Sequence, residues 1–307
     1  MTGKRMNEKI VADLHNHTTA SDGDFTPEEL VELAKSLKLK AVAVTDHDTI
    51  KGVKPAVKVG LKHGIDVIPG VEVSIRFKQI DFVGTLHLLC YFSPKRLEDE
   101  GFVRRMHDVL SKGRGEGLVR SRVDELNQFF GPNGRTPTLE RDMAFEDISV
   151  LSPNASRRHF ALALNQTFGI TDPDAVSAII GNDSPAYLPS GIDFDVAMNL
   201  VRDLDLLAVL AHPAAGSFPG KGHYKEVLPK VVVVEKLLPK FINGGIKGIE
   251  VYYPGHTKEH ELLVKSWARE NGLIITGGSD CHDAVDRPMG VAGIDETLFN
   301  QFKEKLI

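Results

Sequence analysis

Nine side chains with metal-binding chemistry recur where strand-like runs of this sequence end: His15, His17, Asp22, His47, Glu72, His87, His212, Asp280 and His282. The set mixes imidazoles and carboxylates with almost no thiolate. That mixture suits Mn, Fe or Zn in a hydrolytic site better than a structural zinc. Six of the chain's 12 histidines fall in it, more than a structural role needs. A barrel or open parallel sheet gathers the carboxyl ends of its strands onto one face. Residues spread over most of the chain can then meet in one pocket, and the simplest reading is a multi-metal hydrolytic centre.

Each position has a plainer alternative. In Asp13-Leu14-His15-Asn16-His17, alternate residues of a strand share a face, so His15 and His17 point the same way and suit one ion. A His-x-His pair alone is a weak signal. Asp22 lies beside Gly23 and could be a turn former. His47 follows the run Ala41–Val44 and could be a buried, hydrogen-bonded histidine; Asp46 and Asp48 read as caps or loop hydrogen-bond acceptors. Glu72, inside the apolar run after Pro69-Gly70, would be costly to bury without a partner, a cost that a metal removes. His87, alone, reads more often as structural. Asp280 and His282 are again two apart, with Cys281 between them facing away as a structural residue. Only the recurrence of these types at strand ends carries the metal reading.

The elements that must position them follow from periodicity. Ile10–Leu14 is expected as a short strand. Thr26–Lys38 is expected as a helix with Thr26 as N-cap, Pro27 in the first turn, Glu29 at the capping-box position and Leu30, Leu33, Ala34 and Leu37 on its apolar face. Ala41–Val44 is a β-rich run, Lys51–His63 a helix, and Val67–Ile68, Val71–Ile75 and Thr85–Phe92 are extended. This βαβ rhythm implies a parallel sheet covered by helices. It breaks after Ser93-Pro94. Residues 95–190 look helical, with polar breaks, and are expected to form an inserted cap. The rhythm resumes with a helix over Asp195–Leu204, a strand over Leu206–Ala211, a helix over Val227–Asn243, a strand over Ile246–Tyr252, a helix over Lys258–Asn271 and a strand over Leu273–Thr276. The expected organisation is thus a discontinuous barrel, 1–94 and 191–307, flanking the cap.

Composition sets limits. The chain has 307 residues, 42% of them apolar, which suits one barrel-sized domain with an insertion. A net charge of −5 argues against a broad basic nucleic-acid surface, though bound divalent ions would still make a local anion site. Two cysteines, Cys90 and Cys281, make a disulfide framework unexpected. The charged amino terminus lacks the apolar stretch of a signal peptide, and no run approaches the roughly 18 apolar residues of a membrane span. A cytoplasmic protein is the expectation.

The segments DLHNHTTASDG, AVTDHD, PGVEVS, LHLLCYF, LAHP and GGSDCH resemble, in order and spacing, those of the polymerase-and-histidinol-phosphatase (PHP) phosphoesterases. The resemblance covers both α/β segments, about two thirds of the chain. The insertion and the late TGGSDCH resemble most the subgroup that hydrolyses nucleoside monophosphates and short oligonucleotides. The resemblance implies a distorted (β/α)7 TIM-like barrel with three divalent metal ions. His15, His17, Glu72 and Asp280 would hold the first and serve catalysis. Glu72 would bridge to a second held with His87 and His212, and Asp22, His47 and His282 would hold the third. Asp22 stands where some relatives have histidine, as in the nucleotide-hydrolysing subgroup. Implied is phosphate-ester hydrolysis by a metal-activated hydroxide attacking phosphorus in line.

Substrate contacts are expected from two further segments. Ser156-Arg157-Arg158-His159 resembles a cap segment that faces the metals, and Arg158 and His159 are its expected contacts; a solvated helix face is the alternative. Tyr252-Tyr253-Pro254-Gly255-His256 resembles a loop near substrate, where Tyr253 would stack on a base and His256 contact phosphate; barrel-top packing is the alternative. Arg104, Arg105, Arg114, Arg120 and Arg122 read first as charges on an exposed helix, with guidance of an anionic substrate by Arg120 or Arg122 as the alternative. His63, His107, His223 and His260 read as surface or structural. The expected partner is a small phosphorylated molecule, a nucleotide or short oligonucleotide, with no membrane and no obligate protein partner. A histidinol-phosphatase-like activity and a degenerate metal-binding domain are the alternatives. All nine ligand positions being filled weighs against the second. With the chain ending at Ile307, a polymerase proofreading domain is not expected.

Overall fold

The computed structural model describes residues 9–79, 82–152, 155–181, 183–220 and 228–306. Eight strands form one sheet: β1 (Ala12–Asp13), β2 (Ala41–Val44), β3 (Asp66–Gln79), β4 (Phe82–Tyr91), β5 (Ile192–Asp193), β6 (Leu207–Leu210), β7 (Gly248–Tyr252) and β8 (Ile274–Gly277). The main path runs β1-β2-β3-β4-β6-β7-β8, with β5 paired to β3. It nearly closes on itself. The Leu14 N–H donates to the Gly277 carbonyl at 3.2 Å and the His17 N–H to the Cys281 carbonyl at 2.9 Å. That approach requires glycine at 278, because a Cβ there would sit 2.3 Å from the Cβ of His15. The seven-stranded barrel inferred above is present.

One expectation is corrected. The sheet is not all parallel: β4 runs antiparallel to both β3 and β6, while β1–β2, β2–β3, β6–β7 and β7–β8 are parallel. Two residues separate β3 from β4. A parallel return needs a crossover of a dozen or more residues, so so short a link permits only a hairpin. The separate extended pieces Val67–Ile68 and Val71–Ile75 are one long strand.

Local signals set the helices. Helix Pro27–Ser36 starts at Thr26, whose hydroxyl accepts from the Glu29 N–H while the Glu29 carboxylate accepts from the Thr26 N–H. It buries Leu30, Val31 and Ala34; Leu37, expected on that face, lies past the last turn and is exposed. The central strands are buried on both faces, as β2 shows with all four residues inside. The barrel interior is filled by Leu14, Ala43, Ile68, Leu89, Tyr91 and Val209, and Phe302 of the terminal helix Glu296–Leu306 closes it edge-on against Tyr91.

Between β4 and β5 the described residues are helical. Helix Glu100–Leu110 buries Phe102, Met106, Val109 and Leu110 into the apolar layer around the barrel. Helices Glu116–Phe130, Glu146–Ser149, Arg157–Thr167 and Pro173–Ile180 instead share a cluster of their own, built on Val123, Phe130, Ile148, Phe160, Leu164 and Ile179. Helix Val231–Gly244 begins inside the expected Val227–Asn243; residue 227 and His223 lie outside the described residues.

Candidate metal centre

The nine residues expected as ligands come together at one mouth of the barrel. His15 and His17, just after β1, set their Nε2 atoms 3.3 Å apart. Both face Glu72 Oε2, at 3.3 and 3.2 Å, and Asp280 Oδ1, at 3.4 and 3.1 Å. Glu72 lies at the centre, since His47 Nδ1 reaches its Oε2 at 3.1 Å and His87 Nδ1 and His212 Nε2 each reach its Oε1 at 3.0 Å. On the other flank, Asp22 lies near His17, His47 and His282. Three overlapping groups each bring one ligand atom per residue within 4.8 Å of the others: His15, His17, Glu72 and Asp280; His17, Asp22, His47 and His282; and His47, Glu72 and His87. His17 and His47 each join two groups, a sharing that the expected partition did not include. His212 joins none of these groups; it meets Glu72 and its ring stacks on that of His15.

Strand ends do not account for two of these positions. Glu72 and His87 lie inside β3 and β4, on the hairpin that rises past the rim. His212 and Asp280 follow β6 and β8 with φ of +26° and +52°, in the left-handed region that costs non-glycine residues about 1–3 kcal/mol.

The donor set fits divalent cations. His87 Nδ1, although 3.0 Å from a carboxylate oxygen, has no hydrogen-bond partner among the described residues, and neither has Asp22 Oδ1. Lone pairs that converge without a proton between them are ligand geometry. The electrostatics agree. Burial alone would lower the pKa of His15, but the charges of Glu250, Glu72 and Asp280 outweigh it and hold it well above the usual value. His17, likewise opposed by burial, is raised to about 10 by hydrogen bonds and charge from Asp280 and Glu72. Burial would raise the carboxyls of Asp22, Glu72 and Asp280, yet neighbouring basic side chains hold each well below the ordinary range: the imidazoles, His47 foremost, for Asp22 and Glu72, and Arg287 for Asp280. Without metal, His15 and His17 keep protons in place of the missing charge, whereas burial holds His47 well below its usual value.

A ring of buried groups absent from the candidate list orients these ligands. Glu250, on β7, takes the His15 Nδ1 at 3.2 Å and accepts the His212 N–H at 2.8 Å, so one carboxylate orients ligands from two strands. Asp13 accepts from the Ser279 N–H and hydroxyl and from the Gly290 N–H, tying β1 to the loop that carries Asp280. Asp46 accepts from Thr18 and Ser21, shaping the loop that presents Asp22. Asp48 accepts the Ser74 N–H and pairs with Arg114 at 2.8 Å. These match the loop roles expected for Asp46 and Asp48. A buried acid between β-rich residues is the signal that marks Glu250 in Gly248-Ile249-Glu250-Val251.

A cavity of about 550 Å³ opens over the cluster. Its lining also carries Arg114, Arg122, Arg157 and Arg158, and Arg287 stands beside Asp280. Arg122 donates twice to the Leu188 carbonyl; burial, with repulsion from Arg157 and Arg114, lowers its pKa to about 9. Such crowding of like charge stores affinity for an anion. Arg158 lines the cavity while bonding the Asp22 carbonyl at 3.0 Å and Asp24 at 3.0 Å. Of the second basic stretch, Arg104, Arg105 and Arg120 are exposed as expected, whereas Arg114 and Arg122 turn into the wall.

Three expected substrate contacts are corrected. Tyr253 is only 3% exposed; its ring packs on His212 and its hydroxyl donates to Asp280 Oδ2 at 3.3 Å, leaving no face for a base. His256 is 8% exposed; its Nδ1–H donates to the Val251 carbonyl at 2.9 Å and its Nε2 accepts the Ala214 N–H at 3.2 Å. Burial lowers its pKa to about 4, so it is a neutral strut. His159 is buried and closes a capping box, its Nδ1 accepting the Ser156 N–H at 3.0 Å. Backbone groups claimed the two histidines, and the ligands His212 and Asp280 claimed Tyr253.

Comparison with known proteins agrees with this geometry. The PHP domain model matches residues 13–149. The chain is 44% identical over 310 residues to the 5'-3' exoribonuclease Rnm of Salmonella typhimurium, covering 95% of this chain and 94% of that protein. It is 26% identical over 272 residues to the 3',5'-nucleoside bisphosphate phosphatase of Chromobacterium violaceum, covering 88% and 86%. A Bifidobacterium adolescentis structure provisionally titled a metal-dependent phosphoesterase superposes with a TM-score of 0.73 at 22% identity, covering 96% of each chain. The nine-residue centre is thus set in a fold and a sequence that share most of their length with these proteins: the chain belongs to the PHP-domain family of metal-dependent phosphoesterases.

Proposed function

We propose that this phosphoesterase hydrolyses phosphate esters of small nucleotides or of short oligonucleotides. One observation carries the reading: seven of the nine potential ligands and five arginines, Arg114, Arg122, Arg157, Arg158 and Arg287, line a single cavity. His15, His17, Glu72 and Asp280 would hold one divalent ion, Glu72 with His87 and His212 a second, and Asp22, His47 and His282 a third, drawn from Mn, Fe and Zn. When bound, such ions supply Lewis acidity toward phosphate oxygens and acidify water. Glu250 keeps the proton of His15 on Nδ1, so that Nε2 faces the centre. Arg114, Arg122 and Arg157 offer planar donors to the phosphate or to neighbouring oxygens, and Arg158 ties the wall to the Asp22 loop. The separate apolar cluster of the 116–180 helices supports their role as a cap over the site, within the segment 95–190. The names of the two relatives support the nucleotide class. The described residues contain no helix long and apolar enough to cross a membrane, and the two cysteines are buried and unpaired. Both facts support a reducing, cytoplasmic setting, with a small phosphorylated substrate as partner.

The test is phosphate release with Mn²⁺ from nucleoside mono- and bisphosphates, short 5'-phosphorylated RNA and histidinol phosphate. Preference for the nucleotides, abolished in His15→Ala and His17→Ala together with loss of bound metal, is expected. Preference for histidinol phosphate would replace the substrate class. Metal binding without hydrolysis of any ester would make this a binding domain.

A further inference from the structure

A second cavity, of about 890 Å³, adjoins the first. The two share Arg114, and neighbouring residues divide between them: His47 faces the first and Asp48 the second, Asp22 the first and Ala20 the second. The second cavity contains none of the nine candidate ligands. Its apolar lining is Ile50, Leu97, Val103 and Leu110.

Its charge is one-sided. Lys51, Lys54 and Arg104 line it, all exposed and without ion pairs among the described residues. Against them stand Glu100 and Asp48, the latter already committed to Arg114. Helix Val53–His63 begins here. Its N-cap, Gly52, makes no side-chain cap bond and its first turn carries no acid, but the buried Asp46 carboxylate packs against Gly52 and answers that end of the helix, which leaves Lys51, Lys54 and Arg104 as the cavity's free positive charge. On the shared wall, Arg114 is 7% exposed, and its Nη1 is buried with no hydrogen-bond partner among the described residues. A buried guanidinium N–H without an acceptor is costly. An anion beside it removes that cost.

We propose that this second cavity binds the downstream part of an oligonucleotide whose 5' end occupies the metal cavity. A phosphate of the chain is held by Lys54 and Arg104, and a ribose and base lie on the aliphatic floor. Floor and volume suit a nucleotide unit, since ligand sites of this size are largely apolar with a few placed polar groups. The assignment rests on the nucleotide-hydrolysing function proposed above, and deepens it: it gives the oligonucleotide substrates of that function a binding site beyond the metal cavity.

Two reactions separate this inference from that function. With Mn²⁺, Lys54→Glu combined with Arg104→Glu should raise KM for 5'-phosphorylated tetra- to hexanucleotides by about tenfold or more. KM and kcat for adenosine 3',5'-bisphosphate should stay within twofold. The slope of log K against log salt for oligonucleotide binding should flatten by about 0.7 per phosphate contact removed. Lys54→Arg should retain oligonucleotide KM. Both positions are exposed, and unchanged melting temperature would exclude misfolding as the cause. Equal effects on oligonucleotide and bisphosphate, or no effect on either, would overturn the inference while leaving the bisphosphate activity to stand or fall on its own. Loss of both activities in the unsubstituted enzyme would instead remove the underlying function and the inference with it.

Discussion

Glu250→Gln is the sharpest probe of how this centre is held together. The carboxylate does two things with its two oxygens: it takes the Nδ1 proton of His15 at 3.2 Å and accepts the backbone N–H of His212 at 2.8 Å. Glutamine has nearly the same shape but only one oxygen. If that oxygen keeps the His212 N–H, the amide NH2 faces His15 Nδ1, donor against donor. His15 must then move its proton to Nε2, the atom that faces Glu72 and Asp280. A protonated Nε2 is not a ligand. Loss of a carboxylate that orients a metal-binding histidine costs about 10- to 100-fold in metal affinity or activity, or about 1.4–2.8 kcal/mol. The metal-free fold should hardly change, because the backbone acceptor survives. Glu250→Ala would in addition leave the buried His212 N–H unpaired, at about 1–3 kcal/mol of stability. Equilibrium dialysis against Mn²⁺ with elemental analysis, alongside thermal melts in chelator, separates the two effects. If Glu250→Gln binds Mn²⁺ with unchanged affinity, Glu250 merely fills space and the tautomer reasoning fails.

The protons held by the metal-free site should be measurable. His17 has a folded pKa of about 10 against 6.5 when unperturbed, so the fold binds that proton more tightly than the unfolded chain does. Its contribution to metal-free stability is full below about pH 6.5 and is lost as pH rises toward 10; melts in chelator should therefore fall across that window, and a rise would contradict the assignment. Metal uptake near pH 7.5 should release protons into a weakly buffered solution, and pH-stat titration with Mn²⁺ showing none would do the same. Asp48→Ala leaves Arg114 as a buried, uncompensated charge and should cost about 3–5 kcal/mol in urea unfolding; a loss below 1 kcal/mol would mean that water already reaches the pair. Tyr253→Phe removes one hydroxyl from Asp280, which keeps Arg287, and should raise KM for a nucleotide and for a generic phosphate ester by the same modest factor; a selective rise for the nucleotide would restore a base-stacking role.

The residue types and their local spacing were enough to specify the chemistry of this chain. His15 and His17, two apart in an extended segment, had to share a face. Thr26 and Glu29 had to start a helix between them, and the β-rich run Ala41–Val44 had to be buried on both sides. All of these follow from contacts within a few residues. What the folded chain alone decided depends on partners far apart in sequence. The direction of β4 turned on a link too short for a crossover, and with it the placing of His87 inside a strand. The roles of Tyr253, His256 and His159 turned on which groups lay within reach once each ring was buried: the Asp280 carboxylate for Tyr253, backbone groups for the two histidines. Glu250, 235 residues from the histidine it orients, and Arg114, 66 from Asp48, have no local signature. Burial and hydrogen bonding act through space, and the sequence orders residues only along the chain.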